Sequence, residues 1–412
     1  MRLSRRSTLS LAVFLTVAGL IVAGWSLEAR RAGRESLSNT ISLRVTNGAD
    51  RGTGTLREAL FVAATAPGPA RISLEVPRIS LATALPPIVN PHGMHIVARE
   101  GRGEIDAQAL RGGPVLDIAA PNVSLEGLAI SRCAGAAILV RAVHVSLQSA
   151  TLDRCDIGVD VAENAHDLLL ESNHFVDDRI GVRFTAASPD TTVAQNQFTG
   201  EKEAGVWAVH GQTDLQGGSI SVRGNRFDDD HSAIIAGNVK ILIEQNEITG
   251  AQAAAVDLVG AGAVVRRNRV SNGSGMGIVA EGAQAAVIED NELNGLAAYG
   301  IMIRGSSNVL VRGNRMYECA YGMAFVLGDT RNPSTAVDNV IIEPRYDGID
   351  VVGDAPILRQ NHVLQPHAFA LRVQDFQRPD GSEVRGAPFL DHNSFGGLVA
   401  AAATRPSRPS LR

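Results

Sequence analysis

"ILIEQNEITGAQAAAVDL", residues 241–258, opens on alternating aliphatics and reaches Asn246. One polar and one apolar residue follow, then a short polar stretch, then a second aliphatic alternation. Alternation with period two marks a strand that buries one face. The same order recurs on both sides. "LLLESNHFVDDRIGVRF" starts at Leu168, "TVAQNQFTGEKEAGVWA" at Thr192 and "SVRGNRFDDDHSAIIA" at Ser221. Beyond it come "VVRRNRVSNGSGMGIVA" from Val264, "AVIEDNELNGLAAYGIMI" from Ala286 and "VLVRGNRMYECAYGMAFVL" from Val309.

The aligned asparagines are Asn173, Asn196, Asn225, Asn246, Asn268, Asn291 and Asn314, at intervals of 23, 29, 21, 22, 23 and 23 residues. Asn361 lies 47 residues further on, two periods away. Upstream, "VSLEGLAISRCAGAAILV" and "VSLQSATLDRCDIGVDV" keep the register, with Gly127 and Ser149 set in the Asn position. About eleven turns are expected over residues 113–375. A fixed period near 22 residues with short strands and no helical pattern is the mark of a solenoid. Leucine-rich repeats share the period, but their Leu-rich consensus is absent here. In such a stack each strand lies about 4.8 Å above its counterpart. Inward side chains meet their equivalents, and an Asn column can form an amide ladder. Asn also tolerates a left-handed bend. The asparagines are therefore read as architecture.

The repeat resembles the right-handed parallel β-helix of the pectin-lyase-like superfamily. The resemblance implies an all-β fold and no single activity, because that fold carries many. Composition agrees with it: the chain of 412 residues is 45% hydrophobic but only 4% aromatic, with 42 glycines. That suits thin aliphatic layers joined by tight turns. A net charge of -5 with no basic stripe argues against nucleic acid as a partner.

Residues 1–29 differ from the rest. Arg2, Arg5 and Arg6 precede an uncharged, mostly apolar run over residues 9–25. This reads as an export signal or a signal anchor: the expectation is a periplasmic or secreted protein, held at the inner membrane if the segment is kept. Residues 30–112 are read as an N-terminal cap and irregular first turns. "LRVTNGADRGTGTLREALFVAATA" resembles the opening segment of many secreted β-helix proteins. A short helix is expected over residues 55–64, with Leu56, Ala59, Leu60 and Ala63 on one face and Thr53 or Thr55 as N-cap. Residues 376–412 are read as a C-terminal cap and a polar tail. Cys133 and Cys155 are one period apart and should stack, which permits a disulfide between them; Cys319 takes the same position later.

Each turn's last strand reads Gly, aliphatic, x, aliphatic. The outward x positions are Asp160, Arg183, Trp207, Ile235, Asp257, Val279, Met302, Ala324 and Asp350. Trp207 beside Arg183 and Asp160 suits a sugar platform, since aromatic faces stack on sugars and Arg can fork a uronate carboxylate. The polar stretch before that strand is acidic in successive turns and includes Asp178 and Arg179, then Glu201, then Asp228, Asp229, Asp230 and His231. Stacking would bring these groups together as a carboxylate pair, an oxygen-lined cation site or a base with a proton shuttle. The 29-residue interval before Asn225 adds an insertion that starts at His210. The expected proton-transfer residues are Asp178, Asp230 and His231, with Arg179 and Arg183 for a carboxylate. Asp160, Trp207, His210 and Asp257 are expected to bind substrate. No metal ligand set is expected; calcium is the one cation these acidic turns would suit.

The motifs that mark pectate lyases, polygalacturonases and alginate epimerases in this superfamily are absent. "NPHG" at Asn90 is only a fragment of the epimerase segment, in another region. The functional expectation is an exported protein that binds an extended acidic polysaccharide and, if catalytic, acts as a lyase or C5-epimerase. The other class is a non-catalytic periplasmic accessory with a protein partner in the envelope, resembling the nitrous-oxide-reductase maturation β-helix proteins.

Overall fold

The structure is a computed structural model that describes residues 40–99, 102–186, 188–214 and 219–400. The expected export segment and the polar tail after residue 400 lie outside the described residues. Three long parallel sheets form the walls of a β-helix. Sheet 1 has 15 strands, sheet 2 has 14 and sheet 3 has 13, and each turn contributes one strand to each wall. Strand pairing follows the expected alignment: Val222 pairs with Ile243, and Phe227 with Ile248. Ile234 pairs with Val256.

About 13 turns are present rather than eleven. The additional turns come from the less regular ends. Ile41–Val45, Ala70–Leu74 and Met94–Ala98 already pair in sheet 1. Phe389–Asp391 adds a last strand to it beyond Ile357–Arg359. Their sequences lack the Asn-centred pattern, so the period does not reveal them.

The helix α1, Leu56–Ala64, covers the open end of the first turns. Thr55 caps it by accepting the Glu58 N–H, and Leu56, Ala59, Leu60 and Ala63 are buried. Cys133 and Cys155 are bonded, with Cα atoms 4.3 Å apart in adjacent turns. Cys319 is a buried free thiol.

The Asn ladder is longer than the alignment shows. Each Asn Nδ2 donates to the Oδ1 of the next, from Asn173 to Asn196, Asn225, Asn246 and Asn268. It continues through Asn291, Asn314, Asn339 and Asn361 to Asn393. The ladder residue itself is not left-handed. The residue before it is: Ser172 has φ 57°, Gln195 55° and Gln245 56°. Gly127 and Ser149 accordingly hold that corner one step earlier, and Ala150 gives its N–H to Asn173 Oδ1 at 2.9 Å.

Phe175, Phe198 and Phe227 stack inside sheet 2 with centroids 4.6 and 4.7 Å apart. They explain the small residues opposite. A Cβ on Gly181 would lie 2.7 Å from Phe198 Cδ1 and from the Gly205 carbonyl oxygen.

Candidate functional site

Sheet 3 presents the candidate face. Its register aligns the expected row in successive turns, although Val279, Ala324 and Asp350 are buried. Asp160 pairs with Arg183, Arg183 with Trp207, Trp207 with Ile235 and Ile235 with Asp257. The row runs on through Val279, Met302, Ala324 and Asp350 to Arg372. Asp160, Arg183, Trp207 and Asp257 are all part-exposed. Asp257 is raised above the usual carboxylate range by burial and by the Glu281 charge.

The charged residues are bound to one another. Arg183 forks Asp160 at 2.9 and 2.7 Å. Arg179 reaches Asp156 at 2.7 Å on one side and Glu203 at 2.5 Å on the other. The Arg179 hydrogen bond holds Asp156 below its ordinary range. The sequence expectation placed a substrate carboxylate on these arginines; in the structure both are already paired. Their forks are filled by carboxylates of neighbouring turns, because stacking places opposite charges one strand spacing apart.

Asp178 and Asp230 require the larger correction. Asp178 is 0% and Asp230 1% exposed, and both point into the helix. Between them Glu201, also 1% exposed, completes a column of three interior carboxyls in successive turns. The column continues the line of Cys133 and Cys155: the Cys155 N–H donates to Asp178 Oδ1 at 2.6 Å. The Glu201 N–H likewise donates to Asp230 Oδ1 at 2.8 Å. This is the geometry of the Asn ladder, in which a backbone N–H meets the side-chain oxygen one turn on. An Asn has Nδ2 to complete the pattern; an ionised Asp has none. Asp178 Oδ2, Asp230 Oδ2 and both Glu201 oxygens are accordingly buried without a partner. Burial raises all three carboxyls, and Asp230 reaches about 7. They are core groups, and burial favours their protonated form. No role at the surface is open to them.

The inversion has a local cause. The residue before each carboxyl turns left-handed, with φ 55° at Asp177, 74° at Gly200 and 59° at Asp229. It breaks the strand's alternation, so the next residue points in and the one after it points out. Arg179, Lys202 and His231 are those outward residues, and His231 is exposed. His210 is buried at 9% exposure, and its carbonyl accepts from Asn238. Residues 215–218 of the insertion lie outside the described residues. Among the described residues, no group of three His, Cys, Asp or Glu is placed to hold a metal ion.

A second aromatic cluster was missed in the sequence. Tyr299, Tyr321 and Tyr346 stack in consecutive turns, with centroids 4.6 and 5.0 Å apart. The repeated "AYG" at residues 298–300 and 320–322 is the signal that could have found it. Tyr299 Oη donates to Asp350 Oδ2 at 3.0 Å. Asp350 is raised by burial and by the neighbouring Asp347.

The family described as "Right handed beta helix region" matches residues 96–216 and 214–363. The chain belongs to that family. No curated protein matches it. Solved structures share the fold at low identity. A tailspike protein mutant of E. coli bacteriophage HK620, in complex with a pentasaccharide, is 12% identical with a TM-score of 0.57 over 87% of this chain and 79% of its own. A PL6 alginate lyase in complex with a trisaccharide is 12% identical with a TM-score of 0.52, over 91% and 90%. The catalytic unit of an α-1,3-glucanase from Streptomyces thermodiastaticus is 14% identical with a TM-score of 0.53, over 88% and 70%.

Proposed function

We propose that this protein binds an extended polysaccharide along the outer face of sheet 3. One observation carries the reading. Sheet 3 bears the Asp160–Arg183 rung and Trp207 toward one end and the tyrosine stack, bonded to Asp350, toward the other. Aromatic platforms on a rigid, regular face suit a repeating glycan, and rungs fixed by cross-turn ion pairs need little ordering on binding. The sugar-bound tailspike and lyase of the same fold support the reading.

We further propose that it is exported: the arginines and apolar run of the first residues suit a periplasmic or secreted protein, with residues 9–25 able to anchor it in the inner membrane. An acidic glycan would require Arg179 or Arg183 to exchange its present partner for a uronate. Lyase or epimerase chemistry would draw its base from the surface, where His231 stands, and not from Asp178 or Asp230. Calcium, where it takes part, would act as a bridge between chain and glycan carboxylates.

The test is titration of the purified protein with acidic and neutral oligosaccharides, with and without calcium, for wild type and Trp207→Ala. Binding that weakens about tenfold in the variant, or 1.4 kcal/mol, supports the proposal. Silence of the wild type toward every glycan, with stable capture of an envelope protein, would favour the accessory reading instead.

A further inference from the structure

The late turns contain polar groups that the outward row leaves unused. A cleft of about 400 Å³ opens there, lined by Gly295, Glu318, Glu343, Arg345 and His367. Tyr346 follows Arg345 directly and is 54% exposed. Its ring is the outermost of the three, tilted 27° to Tyr321. The stack is pinned at its base, since Tyr299 Oη is held by Asp350, a side chain 6% exposed. Arg372 in turn holds Asp347 Oδ2 at 3.0 Å. The platform is therefore fixed before any ligand arrives.

The cleft is rich in acceptors. Glu318 and Glu343 are exposed and form no side-chain hydrogen bond or ion pair among the described residues. Both occupy left-handed corners, with φ 50° and 51°. The same corner is held by Arg132, Arg154, Asp177 and Asp229 in earlier turns and by Gly250, Asn272 and Gly295 in the middle ones. His367 donates Nδ1–H to the Pro344 carbonyl at 3.1 Å, since a carbonyl can only accept. In the neutral ring this leaves Nε2 as an acceptor. The one guanidinium of the cleft, Arg345, already donates to the Leu296 carbonyl.

A larger cleft of about 590 Å³ near Arg102 and Glu126 offers less. Its Glu104 is held by Arg78 and Ser131, and Glu126 by His95.

We propose that the cleft beside Tyr346 is a saccharide subsite for a neutral or amino-bearing sugar, and not for a uronate. The sugar's apolar face lies on Tyr346. Its hydroxyl or ammonium protons go to Glu318, Glu343 and His367 Nε2. Two carboxylates against the single Arg345 charge leave the cleft net negative, which disfavours a uronate. The proposal rests on the protein's being a saccharide binder and adds the charge class of the sugar and the place where it binds.

The experiment uses the purified protein and short oligomers of glucosamine, of glucose and of guluronate, too short to reach from this cleft to Trp207. The expected order of affinity is glucosamine, then glucose, with guluronate weakest. Tyr346→Ala should weaken glucosamine binding about tenfold, which is 1.4 kcal/mol, while Tyr346→Trp retains it. The Glu318→Gln, Glu343→Gln double variant should remove the preference for glucosamine over glucose. Circular dichroism checks that each variant is folded. Guluronate as the tightest ligand, or a folded Tyr346→Ala protein with unchanged binding, overturns the subsite. If long glycans still bind and depend on Trp207, the broader proposal stands without it. If no glycan of any length binds, both fall.

Discussion

Replacing Asp230 by Asn tests whether the interior column holds protons. Asp230 is 1% exposed, and its Oδ1 takes the Glu201 N–H at 2.8 Å while Oδ2 has no partner. Burial raises the carboxyl from 3.8 to about 7. Below about pH 4 the folded and unfolded chains both hold this proton. Between about pH 4 and 7 only the folded chain holds it, so stability falls as pH rises, by about 1.4 kcal/mol per pH unit. Over that window the loss is about 4 kcal/mol, and it is complete once pH passes the folded value. Asn has the same shape, is neutral throughout and brings an N–H where Oδ2 lacks a proton. The variant should match wild type near pH 4 and exceed it by about 2–4 kcal/mol at pH 8, with Asp178 and Glu201 still titrating in both. Thermal unfolding followed by circular dichroism from pH 4 to 8 measures the difference, with amide exchange in the Gly200–Gln252 region as the local readout. A difference that does not change with pH would refute the reasoning, because the carboxyl would then carry the same charge in both states.

Gly181→Ala places a Cβ against Phe198 and the Gly205 carbonyl, and should lower stability by about 1–3 kcal/mol in the same melts. Asn225→Ala removes an acceptor for the Asn196 N–H and a donor to the Val193 carbonyl; a loss of about 2–3 kcal/mol is expected, with faster amide exchange at Asn196. Alkylation of the unfolded, unreduced protein should label Cys319 alone, and all three cysteines after reduction, as read by mass spectrometry.

The fold was legible because a β-helix repeats its environment. Each turn meets the same neighbours, so the same residue types return at the same step. The alignment of the row from Asp160 to Asp350 could be read from alternation alone, and the strand register reproduces it. The helix α1 and its Thr55 cap were legible for the same local reasons. Irregular turns at the ends carry no such pattern: those before residue 113 were legible as irregular turns but not countable, and the last strand of sheet 1, Phe389–Asp391, lies in the segment read as a cap. The tyrosine stack escaped because only two of its three members share a motif; Tyr346 sits in "PRYDG".

The sequence by itself determined the period, the strand faces and the composition of each column. It did not determine which way the residues of a polar corner point. In "FDDDHS" the three aspartates look equivalent. The structure makes Asp228 a surface partner of Arg226, Asp229 the left-handed corner and Asp230 a core acid. It also consumes Arg179 and Arg183 in pairs that form only when turns stack. The physical reason is the corner itself. One residue at positive φ breaks the period-two alternation, and from that point side-chain direction depends on the path of the backbone and on what lies in the turns above and below.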